Sequence, residues 1–175
     1  IDFSGRFKDW QEALRYGEAL RHHDPFHFEQ PSRDMRVSAQ FTQRVDLPVT
    51  WHIHSLQQAY DAADLAACTA FNVACVAGGP THIQRILAVG EAAGMKCLIG
   101  TDQESTLGVS AQVAVGISSV QVNLPCDPMG PVLYTTSPAK QRVRAEGSYL
   151  YPFEAPGLGV EIDAAKLADM TVVSA

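Results

Sequence analysis

Asp2 and Glu29 each close a short strand-like run, in Ile1-Asp2-Phe3-Ser4-Gly5 and Phe26-His27-Phe28-Glu29-Gln30-Pro31. Side chains alternate along a strand, so Glu29 shares a face with His27 while Phe26 and Phe28 take the other. An inward carboxylate beside a second one is costly without a counter-charge, and a hard divalent cation with oxygen ligands supplies it. Solvated acids or helix caps are the plainer reading. Further on, Val49-Thr50-Trp51-His52-Ile53-His54 puts Thr50, His52 and His54 on one face, with the two imidazoles about 7 Å apart along the strand. One imidazole can ligate a metal while the other moves protons near neutral pH, or the two form a hydrogen-bonded pair at a strand end. Asp102 and Glu104, in Gly100-Thr101-Asp102-Gln103-Glu104-Ser105, are candidates for substrate contact or proton transfer. Either also suits the cap of a following helix.

Other polar residues carry less. Gly78-Gly79 before a helix is a weak phosphate cradle. Asp127 lies in Cys126-Asp127-Pro128-Met129-Gly130-Pro131, a run of turn formers, and reads as a turn residue. His22, His23 and His82 fall in helical segments and receive no role. Cys68, Cys75, Cys97 and Cys126 contain no C-x-x-C pair, and three lie in or beside apolar segments. Buried reduced thiols in a cytoplasmic setting are therefore expected.

The elements that must position these groups alternate. Residues 1–3, 26–29, 49–53, 71–76, 96–100 and 120–124 read as strands. Residues 9–23, 33–45, 56–67, 80–93 and 107–118 read as helices between them, with Ser55 as a cap and Gly94 as a terminator. From Cys126 the period fails, and residues 132–134, 143–144 and 159–162 suggest a looser, β-rich tail. Such alternation predicts a parallel α/β fold, either an open doubly wound sheet or most of a (β/α) barrel. Asp2, Glu29, His52 and Asp102 all sit at strand C-terminal ends, which favours the TIM-type barrel, whose sites draw on several strands.

Five motifs in order resemble the later part of an enolase-superfamily protein of the mandelate racemase and muconate lactonizing type. Asp2-Phe3-Ser4-Gly5 is similar to "D-x-N-G" at that family's third strand, and Glu29-Gln30-Pro31 to "E-Q-P" at the fourth. Gly78-Gly79 through Gly94 resembles its "G-G-(I/L)-T-x-A … A-E-A-A-G" helix, residues 100–105 its "G-x-x-x-E-S", and Gly157-Leu158-Gly159-Val160 its "G-L-G-V". The resemblance implies a barrel whose strands three to eight lie in this chain, with an N-terminal capping domain and the first strands outside it. Residues 1–131 would be the barrel portion and 132–175 a tail closing it. It also implies Mg2+ stabilising an enediolate formed by removing a proton next to a carboxylate.

On that resemblance Asp2 and Glu29 match the first two metal ligands. The third, in "P-x-x-x-D-E" counted from Pro48, falls on His52, with Ile53 at the Glu. Imidazole suits a softer divalent metal, and His54 can instead reach the metal through water. The sixth-strand pattern "N-x-K-x-x-K-x-G-G" appears as Asn72-Val73-Ala74-Cys75-Val76-Ala77-Gly78-Gly79, without lysine and one residue shorter. The second-strand "K-x-K" would lie before residue 1. A two-base racemase is therefore not expected, and "D-x-D" appearing as Asp127-Pro128-Met129 counts against an amino-acid or dipeptide substrate.

The expected activity is metal-assisted proton abstraction on a small carboxylic acid, as a dehydratase-type lyase or a cycloisomerase. Asp2, Glu29 and His52 would hold metal, His54 or Asp102 would move protons, and Glu104 would orient substrate. A degenerate, non-catalytic relative is the alternative, and a metal hydrolase using His52 and His54 a weaker third. At 175 residues with 46% hydrophobic and 18% charged residues the chain has a globular balance, and its net charge of −6 argues against nucleic acid. No apolar run reaches membrane-spanning length, no signal peptide is expected, and the strand-like opening suggests part of a longer polypeptide. A companion N-terminal segment or a homo-oligomer is expected to cover the exposed strand edges.

Overall fold

The computed structural model describes residues 1–75 and 78–170. The apolar runs form four parallel strands, β1 (Phe28–Glu29), β2 (Val49–Ile53), β3 (Ala70–Val73) and β4 (Lys96–Ile99), paired in chain order. Isolated parallel bridges extend this array at both edges, Asp2 to Glu29 on one side and Val122 to Cys97 on the other. Helices fill the connections: α1 (Trp10–Leu20), α2 (Met35–Thr42), α3 (Leu56–Asp64), α4 (Pro80–Ala92) and α5 (Thr106–Ser118).

Strand order settles what periodicity left open. Each crossover leads to the adjacent strand, and with the right-handed turn that such units take, successive helices fall on one face. Accordingly α1 packs on α2, α3 on α4, and α4 on α5. A doubly wound sheet reverses its order at a switch point, and the described strands show no reversal. The arrangement is that of a barrel wall.

Alternation gives this wall two faces. Phe28, Val49, Trp51, Ile53, Phe71, Val73, Cys97 and Ile99 point to the helices and form the core with Phe41, Ile83, Ile86 and Leu87. Glu29, Thr50, His52 and Asn72 belong to the opposite face, where parallel register sets Glu29 beside Thr50 and His52 beside Asn72. Helix starts are fixed by side chains that satisfy free N–H groups. The Asp9 carboxylate accepts from Gln11 and Glu12 N–H, Asp34 from Arg36, and the Ser55 hydroxyl from Gln58.

Several boundaries differ from the sequence reading. The strand expected over residues 71–76 runs from Ala70 to Val73, with Val76 outside the described residues. Residues 120–124 contribute only the Val122 bridge. In the tail, residues 132–134 are not strand; Gly130–Leu133 is a single helical turn, α6, opened by Pro131. A hairpin follows, β5 (Arg144–Glu146) against β6 (Tyr149–Tyr151), and Ile162 bridges Ala139. A last helix, α7 (Ala164–Met170), was not expected; the Asp163 carboxylate starts it by accepting from Ala165 and Lys166 N–H. No described helix is long and apolar enough to cross a membrane. All four cysteines are free thiols, and burial pushes Cys68 up to about 12.

Candidate functional site

The C-terminal ends of the parallel strands gather the polar residues. Glu29 ends β1, and its side chain, 15% exposed, points along the wall to β2. Its Oε1 accepts from His52 Nε2 at 2.6 Å and from Asn72 Nδ2 at 2.9 Å. His27 Nε2 lies 3.8 Å from Oε2, beyond hydrogen-bond reach but close enough for charge. Burial pushes the Glu29 carboxyl up, but the imidazoles of His27 and His52 and the Asn72 amide outweigh it and hold the group at about 2. The bond to Glu29 raises His52 above its usual value against burial, with the charges of Asp102 and Asp2 adding to it.

Around this pair stand the other residues singled out from sequence. His54, exposed just past β2, sets its ring edge-on to His52 with centroids 5.8 Å apart. Its backbone N–H donates to Gln58 Oε1, which ties the end of β2 to α3. Asp102, exposed beyond β4, faces His52 through its charge. Glu104 is held more firmly: Oε2 accepts from Thr101 Oγ1 and Asp102 N–H, both at 3.0 Å, and Oε1 from Gln112 Nε2 at 2.6 Å. Asp2 is exposed and turned onto its own loop, where Oδ1 accepts from Ser4 N–H at 2.6 Å and Oδ2 from Ser4 Oγ at 2.8 Å.

Three residues of this mouth were given no role from the sequence. Asn72 bridges to Glu29, Gln112 reaches from α5 to Glu104, and Asp127 lies near enough to Glu29 to be affected by its charge. Partial burial, then the Glu29 charge, raises the Asp127 carboxyl. Alternation alone marks His27 as sharing the face of Glu29, but the placement of Asn72 depends on strand register. Among the described residues, the buried side-chain atoms without a partner are His27 Nδ1, Asn72 Oδ1 and Gln112 Oε1. All three belong to residues that contact Glu29 or Glu104. Buried polar groups are nearly always satisfied, so their concentration here marks the mouth as a place for a ligand.

Mg2+ wants several free oxygen donors in near-octahedral array. Here His52 Nε2 donates to Glu29, and a nitrogen that carries a proton has no lone pair for a metal. Both Asp2 oxygens are engaged by Ser4. Among the described residues no group of three or more His, Cys, Asp or Glu side chains is arranged to hold a metal ion. The donor set as folded does not fit Mg2+ held by Asp2, Glu29 and His52.

The family described as enolase C-terminal domain-like matches residues 1–166. Muconate cycloisomerase 1 of Rhodococcus opacus is 29% identical over 170 residues, covering 93% of this chain and 45% of that protein. Its namesake from Pseudomonas putida is 27% identical over 169 residues, with the same coverage of 93% and 45%. The chain thus spans less than half the length of these curated relatives. Among solved structures, the muconate lactonizing enzyme from Pseudomonas putida superposes with a TM-score of 0.90 at 25% identity, covering 97% of this chain and 48% of that one. An N-succinyl Arg/Lys racemase from Bacillus cereus gives 0.91 at 24% identity, covering 99% and 47%, a likeness in fold alone. With the match running almost end to end and the strand order that of a barrel wall, the chain belongs to the enolase superfamily, as a C-terminal portion of the mandelate racemase and muconate lactonizing type.

Proposed function

We propose that this chain is the barrel portion, roughly strands three to eight, of an isomerase or lyase that removes a proton next to the carboxylate of a small carboxylic acid. One observation carries the reading: Glu29, His52, His54 and Asp102 all lie at or just past the C-terminal ends of β1, β2 and β4 in one parallel array, in a chain of this family. His54 or Asp102 takes the proton onto an imidazole nitrogen or a carboxylate oxygen, and the C–H electron pair moves into the substrate's carboxyl group. Delivery of a proton to another position completes an isomerisation, and loss of a β-substituent completes an elimination. Glu104, fixed by Thr101 and Gln112, orients the substrate. Asp2 and Glu29 shape the mouth electrostatically, and free thiols at all four cysteines suit a cytoplasmic setting.

The whole enzyme requires a companion N-terminal segment. In support, the curated relatives are more than twice as long, and grooves run along both edges of the strand array. One, of about 460 Å3, is lined by Asp2, Phe3, Phe7, Tyr16 and Leu20. The other, of about 530 Å3, is lined by Ile99, Val113, Ile117, Tyr149 and Leu150.

Exchange of a substrate's α-proton in D2O, assayed with the N-terminal segment present, tests the reading. Muconate is the first probe, since the curated relatives are muconate cycloisomerases by name, read as deuterium at the α-carbon of the lactone it would close to, followed by a panel of small carboxylic acids bearing an sp3 α-hydrogen. Deuterium incorporation that disappears in His54→Ala or Asp102→Asn supports the proposal. A non-catalytic binding relative is the second reading, favoured by the closed Glu29–His52 pair, and absence of exchange across the panel selects it. Hydrolysis through His52 and His54 is not supported, because His52 is committed to Glu29 and, among the described residues, no group of three or more His, Cys, Asp or Glu side chains could hold a metal ion.

A further inference from the structure

We infer that His52 occupies the place of the divalent cation, so that the carboxylates of this mouth are held by protein donors and the site is closed to Mg2+. The inference rests on the family reading above for what the site is, and on this chain's own hydrogen bonds for what fills it. Glu29 Oε1, the atom best placed to bridge towards β2, already accepts two N–H groups, from His52 at 2.6 Å and Asn72 at 2.9 Å. A cation at that oxygen would meet two protons instead of a lone pair. The neutral Nε2–H tautomer of His52 suffices to make its bond, so the argument needs no particular charge on the ring.

Asp2 and Glu29 Oε2 are together too few oxygen donors to hold Mg2+. Both Asp2 oxygens turn back to Ser4, whose backbone stands at φ 52 with Gly5 at φ 67, so a tight left-handed turn fixes the carboxylate to its own loop. Asn72 is fixed as well. Gly100, at the end of β4, leaves room for its amide, since a Cβ at position 100 would collide with Asn72 Oδ1 and Nδ2. Closure of the site is thus built into four successive strands, through Glu29 in β1, His52 in β2, Asn72 in β3 and Gly100 directly after β4. An acid in place of His52 would remove an N–H donor and add an oxygen where a hard cation needs one.

Binding of Mn2+, read from the free-ion electron paramagnetic resonance signal, tests this without reference to catalysis. The purified protein is expected to leave that signal undiminished into the millimolar range, and isothermal titration with Mg2+ to give no saturable heat. His52→Asp is expected to tighten Mn2+ binding by about 10-fold or more, and His52→Gln, which keeps an N–H towards Glu29, is expected to stay silent. One equivalent of Mn2+ bound by the unaltered protein and lost in Glu29→Gln would overturn the inference. So would a His52→Asp variant that is folded by circular dichroism and still binds none. If that variant does not fold, the titration of the unaltered protein together with Glu29→Gln decides. Because α-proton exchange and Mn2+ binding are separate readouts, failure of the proposed activity and failure of this inference are distinguishable.

Discussion

Glu29 keeps its charge inside the wall because His27, His52 and Asn72 converge on it, and that arrangement links folding to pH. Its folded pKa falls from 4.5 to about 2, so its stabilisation is fully present above 4.5 and is lost as pH falls towards 2. That shift corresponds to about 3 kcal/mol at most. His52 runs the other way: its pKa is raised above 6.5, so its contribution is present below 6.5 and is lost as pH rises through the folded value. The pair therefore stabilises most between 4.5 and 6.5. Thermal melts across pH should show Tm declining on both sides of that window, and Glu29→Gln should flatten the acid limb. An acid limb in Glu29→Gln as steep as in the unaltered protein would show that the pair does not govern it. Glu29 and His52 were visible from the sequence as residues at strand ends. Their bond to each other was not, because it joins two strands and depends on which residue of one lies beside which of the other.

Elements in this chain were legible where local chemistry states them. Asp9 and Ser55 cap α1 and α3, and Gly94 stands at φ 67 after α4, each a signal carried by one residue. Ser55→Ala should cost about 1 kcal/mol, checked by urea denaturation. The tail was legible only in part: residues 143–144 read as β and β5 begins at Arg144, but α7 buries no residue and so prints no apolar period. Gly130 lies between these cases. Turn formers around it marked a turn, but its purpose is tertiary, since a Cβ there would collide with the Glu104 backbone carbonyl. Main chain cannot swing aside as a side chain can. Gly130→Ala should therefore cost about 1–3 kcal/mol and displace Glu104 from Gln112. The same denaturation series reads the first effect, and weakened α-proton exchange the second. Gly116→Ala supplies the contrast, because its Cβ would meet only the Ile99 side-chain tip at 3.4 Å.

Across the whole molecule, the strand array ends in two bridges, and apolar side chains crowd the second edge. Val120 is 93% exposed, Ile117 65% and Tyr149 71%, the last two lining the groove over Ile99 and Val113. Large exposed apolar surface at the end of a strand array drives association. Two occupants satisfy it: the companion segment proposed above, or a second copy of this chain. They separate by experiment, since a segment of the same polypeptide competes with self-association. The chain purified by itself should sediment as an oligomer. Ile117→Lys with Val120→Lys should shift it towards the 18.9 kDa monomer, because each lysine places a charge where the contact would desolvate it. Adding the N-terminal segment should give the same shift, now as a one-to-one complex, and should slow amide exchange at Val122 and Asp2. If neither the lysines nor the segment changes the sedimentation, these edges are not the association surface. In that case the open wall is tolerated as it stands, and the apolar groove beside α5 is free for a ligand.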